Sequence, residues 1–163
     1  MIITHGNRYR KHGIVVFTGL EEVPCPVCGG RLKVRGTCHR RLITKDGAEV
    51  YRLRVMECCS CAKTHRELPD EIVPYKRHSA EMIESISMAE PGNHETITDH
   101  STWRRITLWV IWFRQYAQNI MEELKILAAS SRTEFPGELS CSSLANSVRI
   151  VANSGNWVQH RTA

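Results

Sequence analysis

With 163 residues, 42% of them hydrophobic and 24% charged, the chain has room for one ordinary domain or two small ones and enough apolar content for a real core. No apolar run approaches the ~20 residues that span a bilayer, and Ile14 to Phe17, flanked by Arg8, Arg10, Lys11 and Glu21, is too short for the apolar core of a signal peptide, so a cytoplasmic protein without a membrane partner is expected. Residues 1–66 carry 13 Lys/Arg against 5 Asp/Glu and the remainder 9 against 12, which suggests either a polyanionic partner for the first part or a solvated basic surface.

Residues 1–22 hold the basic cluster Arg8, Arg10 and Lys11 and the apolar run Ile14-Val15-Val16-Phe17, which could form a strand. The pattern changes at Val23. Cys25-Pro26-Val27-Cys28-Gly29-Gly30 is followed by strand-like stretches at Leu32 to Val34 and His39 to Thr44, then by Lys45-Asp46-Gly47. Asp-Gly between such runs predicts a β-hairpin. Beyond it Tyr51, Leu53 and Val55 alternate with Arg52 and Arg54, the period of a half-buried strand, and the strand leads into Cys58-Cys59-Ser60-Cys61. Knuckle, hairpin, knuckle is the expected order.

Six of the seven cysteines lie between Cys25 and Cys61, a concentration that points to metal rather than disulfides in a cytosolic chain. A Cys-x-x-Cys turn offers two thiolates to one side of a tetrahedral ion, and two such turns complete the set. Cys25, Cys28, Cys58 and Cys61 are therefore the predicted ligands of one structural zinc ion, with 29 residues of hairpin between the pairs. Cys38, Cys59 and His65 lie close enough in sequence to compete, though Cys59 would point out of its knuckle. A thioredoxin-like role for Cys25 and Cys28 would need a βαβ unit, and none is visible. Four thiolates leave neither an open coordination position nor a nearby base, so the zinc is expected to be non-catalytic.

Pro69 and Pro74 bracket a linker over residues 68–77. A helix begins at His78-Ser79 with Met82, Ile83, Ile86 and Ala89 on one face, and Pro91-Gly92 ends it. Ser101 is the expected N-cap of the next helix. In that helix Trp103, Ile106, Val110, Phe113, Ala117, Ile120, Leu124 and Leu127 make a heptad seam, widened by Trp109 and Trp112. The seam would pack against helices at 79–90 and 139–152, or pair with a second copy. Pro136-Gly137 breaks the helix, and Leu139, Leu144, Val148 and Val151 form a last amphipathic stretch. Helix, turn and capped helix outline a helix-turn-helix, with Arg104 and Arg105 in the first turn of the reading helix; a plain helical hairpin is the alternative.

The cysteine knuckles, the run Glu67-Leu68-Pro69-Asp70-Glu71-Ile72-Val73-Pro74-Tyr75-Lys76-Arg77-His78, the stretch Ser101 to Arg105 and the segment Asn153 to Thr162 together resemble an uncharacterised bacterial family of zinc-ribbon proteins, common in Firmicutes. That family looks like the N-terminal part of insertion-sequence transposases, a zinc ribbon followed by a helix-turn-helix. The resemblance implies DNA binding linked to mobile elements. The Cys58-Cys59 doublet departs from its usual pattern, and residues 1–22 lie outside the match.

The expected architecture is thus α+β: a basic N-terminal segment (1–22), a small zinc-ribbon β-hairpin domain (23–67), a linker (68–77) and an all-α helix-turn-helix-like bundle with one long helix (78–163). The expected function is a non-catalytic, zinc-dependent binder of double-stranded DNA, with Arg40, Arg41, Arg52 and Arg54 on phosphates and Arg104 and Arg105 near base edges. It would act in the cytoplasm at the nucleoid, in transcriptional regulation or at mobile elements. An adaptor that binds a transposase or polymerase is the alternative, as is the stranded DNA-binding part of a transposase. An enzyme is not expected: the chain after Arg66 shows no strand-borne acidic pair and no Gly-rich phosphate loop.

Overall fold

A computed structural model describes residues 1–90, 98–131 and 144–158, and in it strands dominate the first half of the chain. The strands are β1 (Ile2–Ile3), β2 (Gly6–Lys11), β3 (Ile14–Gly19), β4 (Leu32–Thr44), β5 (Gly47–Cys58) and β6 (Thr64–Leu68). Three helices follow: α1 (Ala80–Met88), α2 (His100–Ser131) and α3 (Leu144–Asn153). No helix among the described residues is long and apolar enough to cross a membrane.

The expected plan of a small zinc-ribbon hairpin followed by an all-α helix-turn-helix-like bundle is overturned. All six strands join one curled, mixed sheet, a half-barrel of order β1-β6-β5-β3-β2 with β4 on the other edge of β5. The predicted hairpin is present as β4 and β5, turning at Lys45-Asp46, but it is the middle of a larger sheet. A second hairpin, β2–β3, turns through His12 (φ 49°) and Gly13 (φ 76°), both in the left-handed region that a type I′ turn requires. β3 pairs in parallel with residues 50–52 of β5, and β6 pairs antiparallel with residues 55–57 along the same edge. β1 adds to β6 in parallel.

The helices do not bury their faces only on each other. Ile83, Ile86, Ile106, Trp109, Val110 and Phe113 share one core with Ile3, Val15, Phe17, Leu42, Tyr51 and Leu53 from the sheet. An apolar stripe as wide as that of α2, with Trp109 beside the seam, needs more cover than two short helices give, and the sheet supplies it. The seam is buried at Ile106, Val110, Phe113, Ala117 and Ile120. Ser79 caps α1 by accepting from the Met82 N–H. At α2 the cap is Asp99 instead of Ser101: its Oδ1 accepts from the Thr102 N–H at 2.9 Å and from Ser101 Oγ. These bonds hold the Asp99 carboxyl well below the usual range. The expected breaks at Pro91-Gly92 and Pro136-Gly137, and Leu139, lie outside the described residues.

Two side chains close weak points of the sheet. Asn153 of α3 both accepts from the Ile3 N–H and donates to the Ile3 carbonyl, each at 2.8 Å, so it occupies the free edge of β1 as a neighbouring strand would. Arg54 sits where β3 and β6 diverge along β5. It donates to the Gly19 carbonyl and, through Nε and an Nη, to both carboxylate oxygens of the buried Glu67 at 2.6 and 2.7 Å.

Candidate metal centre and an adjoining basic cleft

The two Cys-x-x-Cys turns are built alike. In the first, the Gly29 N–H bonds the Cys25 carbonyl and Gly29 adopts φ 72°; in the second, the Ala62 N–H bonds the Cys58 carbonyl and Ala62 adopts φ 57°. Each chain reversal closes back on its first cysteine, through Cys25 N–H to Gly30 O and Cys58 N–H to Lys63 O. β4, β5 and β6 carry the second turn to the first. Gly30 is where they touch: a Cβ there would fall 2.5 Å from Ser60 Oγ and 3.0 Å from Cys58 Sγ.

The result is a cluster in which the four sulfurs of Cys25, Cys28, Cys58 and Cys61 all lie within 4.8 Å of one another. Cys28 and Cys58 are 3.5 Å apart and Cys25 and Cys61 3.8 Å. A regular tetrahedron with metal–sulfur bonds of ~2.3 Å has an edge of about 3.8 Å, so the donor set fits a metal ion. The electrostatics agree. The Cys61 N–H, with that of Ser60, pulls the Cys58 thiol down to about 6 against burial. The Gly30 N–H favours the Cys28 thiolate, yet the crowding thiols of Cys58, Cys61 and Cys25 push its pKa up to about 12. Metal binding to such a cluster displaces thiol protons.

His65 joins the centre from outside. Its Nε2 lies 3.3 Å from Cys25 Sγ and its Nδ1 3.3 Å from the Met1 nitrogen, and burial lowers its pKa. It therefore orients and supports Cys25 as a hydrogen-bond donor beyond the four sulfurs. Cys38 pairs across the hairpin with Leu53 and Cys59 is exposed, and neither belongs to the cluster. Ala62 offers a test of the knuckle: Ala62→Gly removes the strain of a left-handed alanine and is expected to stabilise the metal-loaded protein by about 0.5–1 kcal/mol, read as a higher urea midpoint at unchanged slope.

On the other side of His65 the sheet opens into a cleft of about 610 Å³. Arg40, Arg41, His39 and Arg66 reach it from β4 and β6, and Tyr75, Lys76 and Arg77 from the segment before α1; among the described residues none that lines it is acidic. Charge crowding is visible in the side chains. Burial, then the neighbouring Arg66, lowers the pKa of Arg40. Lys76 rests over the Trp109 ring, 4.2 Å from its centroid, and burial with the nearby Arg105 brings it down to about 8. Burial, Arg105 and Arg77 lower His78 likewise, against Asp99.

Of the six arginines expected on DNA, the structure gathers Arg40, Arg41 and Arg105 at or beside this cleft. Arg52 is exposed on β5 opposite His39 without lining the cleft, and Arg104 is exposed at the start of α2. Arg54 is engaged with Glu67 and lines a different cavity, between β3, β6 and the first knuckle. Arg66, Lys76 and Arg77 were missed as candidates. The dense Tyr75-Lys76-Arg77-His78 run beside Pro74 was the available signal.

Fold and site together define a half-barrel protein with four clustered cysteines that could hold a metal ion, beside a cleft that is basic among the described residues. The chain belongs to the family described as a domain of unknown function (DUF6431), whose match runs over residues 25–106, from the first cysteine of the cluster into α2. No curated protein and no solved structure matches it.

Proposed function

We propose that this protein is a non-catalytic, zinc-dependent DNA-binding protein, in which the metal centre fixes one end of the sheet and the adjoining cleft grips the phosphate backbone. The observation that carries the reading is the cleft itself: among the described residues five Lys/Arg side chains line it and no carboxylate does. Burial, and after it the neighbouring cations Arg66 and Arg105, lowers the pKa of Arg40 and Lys76, and phosphates would stabilise both in their charged form. Zinc is the metal that four thiolates in a closed tetrahedron favour, and such a site has a structural role. The sequence's resemblance to the N-terminal part of insertion-sequence transposases supports DNA at mobile elements as the setting.

The test is fluorescence anisotropy of labelled DNA titrated with salt. Contact with four or five phosphates gives a log–log slope of roughly −4. Arg66→Ala/Arg77→Ala, both exposed residues, is expected to flatten that slope by about 2 and weaken binding to all sequences alike. Binding that ignores salt would remove the electrostatic basis of the proposal. A protein partner is the second reading, favoured by Leu108 and Ile111, which stand 51% and 63% exposed on α2. DNA affinity unmoved by the arginine changes would bring it forward.

A further inference from the structure

We infer that the strand held in the basic cleft is unpaired, and that Tyr75 is the platform on which one of its bases stacks; this rests on the DNA-binding reading above. Tyr75 occupies the third position of a turn closed by the Lys76 N–H bonding the Val73 carbonyl, with Pro74 before it and φ 62° at the tyrosine. Position and φ match a type II turn, where glycine or asparagine is the residue the backbone favours. A bulky aromatic residue there works against the local preference.

Folding does not need the ring. Tyr75 is 58% exposed, so its side chain is not held by the core. The turn is instead fixed from outside: the Arg40 guanidinium donates to the Val73 carbonyl at 2.8 Å and to the Lys76 carbonyl at 2.6 Å, the two carbonyls that flank the tyrosine. A half-buried cation thus clamps an unfavourable turn, and the clamped turn displays an aromatic ring at the wall of the cleft beside Lys76 and Arg77. Strain maintained by a dedicated contact is the mark of a site that uses it. An exposed ring within a cationic groove is how proteins hold single strands: phosphates lie along the charges and an unpaired base covers the ring. A duplex, with its bases already stacked and paired, leaves Tyr75 no partner.

The experiment compares, at physiological salt, the affinity of the zinc-loaded protein for a thymidine homopolymer, for a duplex of the same length and for an abasic strand with the same number of phosphates. The homopolymer is expected to bind at least about fivefold tighter than either. Tyr75→Gly is expected to bring the homopolymer down to the abasic level while leaving abasic binding unchanged, and Tyr75→Phe to retain wild-type affinity. Because glycine suits the turn, Tyr75→Gly should keep or raise the melting temperature, so lost affinity cannot be traced to lost fold. Equal binding of homopolymer and abasic strand, or no effect of Tyr75→Gly, would overturn the inference and leave the DNA-binding reading intact if duplex binding stays salt-dependent. Failure to bind any of the three would end both.

Discussion

Removing the metal with a strong chelator is expected to lower the thermal midpoint by about 10 °C or more and to loosen one end of the sheet first. A ligand present at about a thousand times its dissociation constant stabilises the state that binds it by about 4 kcal/mol, and for a chain of this size each kcal/mol moves the midpoint by about 2–4 °C. The cluster ties the loop before β4 to the turn between β5 and β6, so hydrogen exchange should accelerate at Leu32 to Val34 and at Met56 to Cys58. Leu42, Tyr51 and Leu53, buried among the helices, should stay protected until global unfolding. Elemental analysis should give one zinc per chain, and none in Cys58→Ser. Cys38→Ser and Cys59→Ser should keep theirs, because neither sulfur belongs to the cluster. Full metal retention in Cys58→Ser would refute the assignment.

The parts of this protein legible in its sequence are those whose cause is local. Cys25, Cys28, Cys58 and Cys61 could be read because a knuckle is four residues long, and β4 and β5 because Asp46-Gly47 and the Tyr51/Leu53 alternation lie within a few positions of each other. Ser79 was similarly readable as a helix start. The larger sheet was not, because its defining contacts are distant. β1 meets β6 across more than sixty residues, as in the pair Ile2 and Glu67, and β3 meets β5 in parallel without a crossover helix to announce it. β2 is also exposed along almost its whole length, so Gly6 to Lys11 shows no alternation to read. One local signal was there and went unused: His12-Gly13, a two-residue turn at the head of the apolar run.

The arginines show the same division in chemical terms. Arg52 and Arg54 are neighbours but one in the same strand, and composition treats them alike. Arg52 reaches solvent, whereas Arg54 meets Glu67, thirteen residues on. The tertiary fold alone decides which cation is satisfied internally and which is left to a ligand. Arg40 does both: it clamps the Val73–Lys76 turn while it lines the cleft.

That difference sets the second large effect. Arg54→Ala is expected to destabilise the protein by about 3 kcal/mol, since it leaves the Glu67 carboxylate, 1% exposed, without its bidentate partner. The Gly19 N–H still reaches Glu67, at 3.2 Å, but one neutral donor does not replace a guanidinium. The change would also release the Gly19 carbonyl at the point where β3 and β6 separate. Arg54→Met/Glu67→Leu, which removes both charges and keeps the volume, should recover most of the lost stability in urea unfolding. On the proposed DNA-binding function, the folded fraction of both variants should keep wild-type affinity for DNA, since Arg54 faces a cavity separate from the basic cleft. Loss of affinity without loss of stability would instead make Arg54 a DNA contact and show that the Glu67 pair yields to phosphate.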